Sequence, residues 1–102
     1  MLWIITEDRV EDGKYVGACN DDLMTSVDCV RLDKQQIARI GAECTDEFRL
    51  LDGDDNLLFR GVCKDLDDQD GDSAFEPLDW AEGAGAATME YRKIGETVWK
   101  IL

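Results

Sequence analysis

A chain of 102 residues with 24 acidic and 11 basic side chains, no histidine and a formal net charge of −13 has the size of one domain, spanning 1–102. So acidic a balance repels phosphate polymers and anionic lipid, and it argues against direct nucleic-acid binding, which needs a basic stripe. With 44% apolar residues the composition is that of a chain that folds.

No stretch reaches the roughly 20 apolar residues of a membrane span, and "MLWIITEDRV" lacks the basic and long apolar regions of a signal peptide, so the expected setting is cytoplasmic, away from membranes. Cys19, Cys29, Cys44 and Cys63 are widely spaced, without a Cys-x-x-Cys pair or a histidine to complete a zinc site. They read as reduced, mostly buried thiols.

Taken in chain order, "LWIIT" at 2–6 is rich in β-formers and predicts a first strand, closed by the charged run from Glu7 to Gly13. Residues 14–32 stay open between a short strand at "KYVGAC", a loop at "NDDLMTS" and an extended "VDCVRL". "LDKQQIARIGAEC" predicts the one main helix, about 34–43. Asp33 caps it, Gln36 completes a capping box, and Leu32 with Ile37 has the spacing of a hydrophobic staple. Ile37, Ile40 and Cys44 form a single apolar stripe. Gly41 ends the helix early or costs it about 1 kcal/mol relative to alanine.

"FRLLDGDDNLLFRGVC" predicts a hairpin, 47–52 and 57–63, about a turn of Gly53, Asp54, Asp55 and Asn56. The two-residue period puts Phe48, Leu50, Leu57 and Phe59 on one face, and Leu51, Leu58 and Val62 on the other with Arg49 and Arg60. A sheet apolar on both sides needs a cover on both. The helix supplies one, and Leu51, Leu58 and Val62 are candidates for a homodimer face on the other. "EPLDWAEG" predicts one short helical turn with Pro77 at its start and Gly83 at its stop, followed by a "GAGAA" connection. "TMEYRKIGETVWKIL" predicts a second hairpin, Met89 and Tyr91 alternating with polar neighbours, "KIGE" turning the chain, and Trp99 and Ile101 sharing a face. The expected fold class is α+β: a small antiparallel β-sheet of two hairpins plus an N-terminal strand, packed against one main helix.

Without histidine the Ser-His and Cys-His arrangements are absent, and no spacing singles out a carboxylate, lysine or cysteine as nucleophile or base. There is no Walker loop, and "GAGAA" lacks the dinucleotide fingerprint. The expectation is a non-enzymatic protein without a cofactor. "DLDDQDGDSAFE" has the length and acid density of a calcium loop, yet starting at Asp65 puts Asp70 where the turn needs glycine, and starting one later puts Leu66 at the first ligand. Asp65, Asp67, Asp70 and Glu76 stand as a weak cation alternative to a solvated acidic loop. The other reading takes the charge as a working surface. Asp54 and Asp55 at the hairpin tip, with Asp67, Asp68, Asp70 and Asp72 after it, form an array able to compete for a protein surface that grips phosphates, which on duplex DNA lie at about one charge per 1.7 Å. Acidic surfaces also keep proteins soluble.

The hairpin with Asp54 and Asp55, the segment Phe75, Pro77, Leu78 and Asp79, the strand with Tyr91 and Arg92, and the late Trp99 resemble small uncharacterised bacterial proteins carried on genomes, phages and mobile elements, of the integron-cassette or phage-accessory kind. The resemblance covers roughly 46–100. Those relatives follow Pro-Leu-Asp with a second aspartate and an aromatic-glycine step, where this chain has Trp80, Ala81 and Glu82. The resemblance implies a setting: an accessory protein of mobile DNA, with inhibition of a host nuclease as one known use of a small acidic fold. The residues themselves suggest a structural motif, in which Phe75, Leu78 and Trp80 clamp the acidic loop onto the sheet and Asp79 pairs with Arg92. The function that these readings favour is binding to a protein with a basic surface, with a small-ligand or Ca2+ domain as the alternative.

Overall fold

Alternating apolar side chains draw Trp3–Asp8 (β1), Asp46–Leu51 (β2), Leu57–Cys63 (β3) and Thr88–Lys93 (β4) into one sheet, extended at its edge by the two-residue Lys100–Ile101 (β5). The structure, a computed structural model, describes residues 1–20 and 32–102. Cys29 and nearly all of "NDDLMTS" and "VDCVRL" lie outside the described residues. The strand order is β1-β3-β2-β4-β5 with every pairing antiparallel, so the class is α+β, mostly sheet. "KYVGAC" forms turns with a single bridge between Ile4 and Cys19 rather than a strand.

The main helix, Lys34–Gly41 (α1), starts where its capping box places it. The Asp33 carboxylate accepts the Gln36 N–H, and the Gln36 side chain accepts the Asp33 N–H, both at 2.9 Å. It stops at Gly41, short of 43. Leu32 and Ile37 meet as the staple predicts, and with Ile40 they cover Ile4, Cys19 and Val62 at the β1–β3 corner of the sheet.

The larger core lies on the opposite face. Trp3, Ile5, Phe48, Leu50, Phe59, Cys63 and Met89 are buried there beneath Leu66, Ala74 and Ala81. Those three come from a run of short turns: a 3-10 turn Leu66–Asp68, then Gly71–Ala74 (α2), Glu76–Ala81 (α3) and a second 3-10 turn Glu82–Ala84. The helix expected to stop at Gly83 runs on to Gly85, whose φ of +96° is left-handed and ends it.

A bulge redistributes the hairpin's side chains. Leu50 pairs with Phe59 but Leu51 pairs with Leu57, leaving Leu58 as the extra residue. Leu58 therefore packs on the main core, while Leu57 joins Leu51 and Arg49 on the other face, the reverse of the strict alternation. Leu51, Leu58 and Val62 thus share no exposed face: Leu51 is buried, Leu58 turns to the core and Val62 lies under α1.

Arg92 pairs with Glu47, directly opposite on β2, and not with the exposed Asp79. Beside it Arg49 Nε donates to Glu90 Oε1 at 2.6 Å, and Trp99 lies against both guanidiniums, 4.3 Å from Arg49 and 4.1 Å from Arg92 to the ring centroid.

At the centre of the sheet Gly61 lets the Phe48 ring lie on the backbone. A Cβ there would meet Phe48 Cζ at 2.3 Å and the Ile4 carbonyl at 2.4 Å. Gly61→Ala is expected to destabilise the protein by about 3 kcal/mol, read from denaturant unfolding. A change under about 0.5 kcal/mol, the level of an ordinary surface substitution, would show that the two strands do not approach so closely.

Candidate functional site

The acidic run is a chain of helical turns, and several of its carboxylates are engaged. Leu66 is buried and anchors it. The Asp65 N–H donates to Thr45 Oγ1 at 2.9 Å. Asp67 lies 3.4 Å from Lys93 Nζ, and the same ammonium reaches the fully buried Asp46 at 3.2 Å. Asp46 holds the Lys93 pKa up. Asp70 caps α2 by accepting the Ser73 N–H at 2.8 Å, which lowers its pKa. Glu76 accepts the Trp3 Nε1–H at 3.2 Å. Asp65, Asp67, Asp70 and Glu76 thus have separate structural contacts, and among the described residues no three His, Cys, Asp or Glu side chains are grouped to hold a metal.

Asp68 and Asp72 are exposed, and among the described residues neither forms an ion pair. The same is true of Asp54 and Asp55 at the hairpin tip, where Asp52 organises the turn by accepting the N–H groups of Asp54 at 2.8 Å and Asn56 at 2.9 Å. Strand β3 leads from that tip to the acidic run through seven residues, about 23 Å of strand at 3.3 Å per residue. The two acidic groups therefore occupy opposite ends of the sheet.

The Phe75 to Trp80 segment is only partly the clamp that its composition suggests. Helix α3 turns Pro77 and Ala81 inward, and Ala74 precedes them. Phe75 and Leu78 are half-buried, and Trp80 stays 37% exposed. Its ring leans on Phe59 with centroids 5.0 Å apart, and meets the Tyr15 ring edge-on at 5.8 Å and Trp3 at 5.9 Å.

Tyr15 is brought there by Asp8, whose buried carboxylate accepts the N–H groups of Val10 at 2.8 Å, Glu11 at 3.0 Å and Tyr15 at 2.9 Å. Burial pushes the Asp8 pKa up, but these three donors outweigh it and leave the pKa lowered. Between this folded loop and α3 lies a groove of about 460 Å³ lined chiefly by Val10, Glu11, Tyr15, Phe59, Trp80 and Ala81. The opposite face of the sheet has a wider concavity of about 540 Å³ over Arg49, Arg60 and Glu90. Its arginines are already in ion pairs, Arg49 with Glu90 and Arg60 with Glu7.

Asp8, Val10 and Glu11 belong to a charged run that in sequence has the composition of a simple strand end, and Tyr15 to the open stretch after it, so nothing local marks them as one site. The signal present is an aspartate at the start of the turn, a residue whose carboxylate bonds the backbone two residues on, as Asp8 does with Val10. Buried Cys44 and Cys63 stand outside any disulfide. Burial raises the Cys44 pKa to about 11, helped by Glu43, and raises that of Cys63 further, so both thiols are poor nucleophiles. No protein-family model matches the chain, nor does any curated protein or solved structure.

Two outcomes follow from this geometry. Trp80→Ala should cost about 1–2 kcal/mol, below the 3–5 kcal/mol typical of a fully buried large aromatic, as measured by urea unfolding; a loss above 3 kcal/mol would mean that Trp80 is a core residue. Because the folded pKa of Asp8 is depressed, its contribution is present above the ordinary value near 3.8 and is lost as pH falls through the folded value. Asp8→Asn should therefore flatten the acid limb of a stability-versus-pH curve, and an unchanged acid limb would show that Asp8 does not hold the 9–15 loop.

Proposed function

We propose that the protein is a non-enzymatic binding module that engages a protein with a basic surface through its exposed carboxylates. The observation that carries this reading is the placement of its few cations. Arg9, Arg49, Arg60, Arg92 and Lys93 are in internal ion pairs, whereas Asp54, Asp55, Asp68 and Asp72 face solvent and form no ion pair among the described residues. With a net charge of −13, these unpaired carboxylates favour fast, salt-dependent association with a basic partner.

Carboxylates at both ends of a sheet about 23 Å long suit a basic surface of similar extent, such as one that follows a run of phosphates. The resemblance over 46–100 supplies the proposed setting, an accessory protein of mobile DNA in the bacterial cytoplasm acting on a nucleic-acid-binding or nuclease protein of the host.

Asp67 and Asp70 are poor test positions, since one pairs with Lys93 and the other caps α2. Replacing Asp54, Asp55, Asp68 and Asp72 together by asparagine should leave the thermal melt unchanged or raised. The same variant should weaken binding to an immobilised basic nucleic-acid-binding domain about tenfold or more, mainly in the on-rate. Unchanged association with an intact fold would overturn the proposal.

A further inference from the structure

We propose that the groove between the 9–15 loop and α3 is a binding site for a small organic cation with an alkylated head, of the quaternary-ammonium class. This site is distinct from the acidic ends of the sheet and does not depend on the reading above. Its volume of about 460 Å³ falls within the range of small-molecule sites. Val10, Tyr15 and Trp80 are each more than a third exposed, and these three are half of the exposed large apolar side chains among the described residues. Their gathering in one concavity separates them from the scattered apolar residues of an ordinary surface.

The chemistry of the walls selects the ligand. Trp80 stands nearly perpendicular to Tyr15, at 82°, and at 65° to Phe59, so Trp80 and Tyr15 form an exposed aromatic corner over the buried Phe59. Indole is the strongest of the aromatic partners for a cation. Glu11 is the one lining residue that carries a full charge at neutral pH, and Asp8 holds its backbone in place. An anionic ligand would meet that carboxylate directly, the nearest ammonium being that of Lys14 at the Tyr15 edge of the groove. The chain itself places an ammonium on one of these rings, Lys14 Nζ lying 5.4 Å from the Tyr15 centroid. The three aromatic side chains and the alanines of the lining offer apolar surface to alkyl groups around a cation, which suits an alkylated head over a bare primary amine.

The test is a titration of the full chain with choline and, in parallel, with its neutral tert-butyl isostere, in which carbon replaces the charged nitrogen. The readout is the backbone amide resonances of residues 10–15, followed in every variant, with the indole N–H resonance of Trp80 wherever that residue is present. A saturable shift with choline, and binding of the isostere at least ~10-fold weaker, is the expected result. Glu11→Gln should weaken choline about 5-fold, Trp80→Leu about 10-fold or more, and Lys14→Gln should tighten it by removing a competing cation. Glu11 and Lys14 are exposed surface positions, so these two variants read the site even if Trp80→Leu disturbs the loop. Equal binding of the neutral isostere would reduce the groove to an apolar pocket, and the absence of a saturable shift would remove the site. Either result overturns the proposal.

Discussion

The rest of the sheet depends on a small grid of ion pairs between β2 and β4. Glu47 stands opposite Arg92 and Arg49 opposite Glu90, with Trp99 stacked on both arginines. Each directly opposed pair is worth only about 0.2–1 kcal/mol, but together they specify register. A slip of two residues one way would set Glu47 against Glu90, and the other way Arg49 against Arg92, like charges in both cases. A slip of β4 by one would turn Arg92 and Glu90 into the apolar core and Met89 and Tyr91 out of it. The hairpin that carries Phe48 and the strand that carries Met89 can therefore meet in one way.

That grid also explains why a sheet with helices of such modest size is covered on both faces. Across the polar face the chain runs Glu7, Arg60, Arg49, Glu90 over four strands, two outer acids bracketing two adjacent cations. One pleat away on the same face the row is Ile4, Val62, Glu47, Arg92, apolar where α1 sits and charged where it does not. Helix α1 needs to shelter only the apolar corner, and Trp99 closes the other half. In a chain with 24 acids and 11 bases, committing arginines to this face leaves the outward surface acidic. Other carboxylates are tied down by backbone N–H groups: Asp8, Asp33, Asp52 and Asp70 each close a turn or cap a helix. Asp54, Asp55, Asp68 and Asp72 are among the acids that neither pair with a cation nor cap a turn among the described residues.

Features set by neighbours in sequence were legible from it. The capping box of Asp33 and Gln36, the staple of Leu32 and Ile37, and the hairpin around Gly53 to Asn56 each depend on side chains a few residues apart, and each has the expected form. Features set across strands were not. The bulge at Leu58 is a choice of register that exchanges the faces of Leu57 and Leu58, and strict alternation cannot anticipate it. The sequence suggests Asp79 as the partner of Arg92, whereas sheet pairing sets it against Glu47, 45 residues away. The groove was hidden for the same reason, because Tyr15 and Trp80 meet only after Asp8 has folded the loop and α3 has crossed the sheet.

The exposure of Trp80 follows from the size of its neighbours. Ala74, Pro77 and Ala81 face inward at helical spacing and are small, so α3 sits close to the strands and leaves no depth for an indole beneath it. Trp80, one position before Ala81, is rotated about 100° from it around the helix axis and meets the sheet only along the flank of Phe59. A larger inward residue would lift α3 and widen the space, drawing the ring into the core and emptying the corner it makes with Tyr15. The alanines that look like weak packing are thus what keeps an aromatic surface at the rim, where it is available to a ligand.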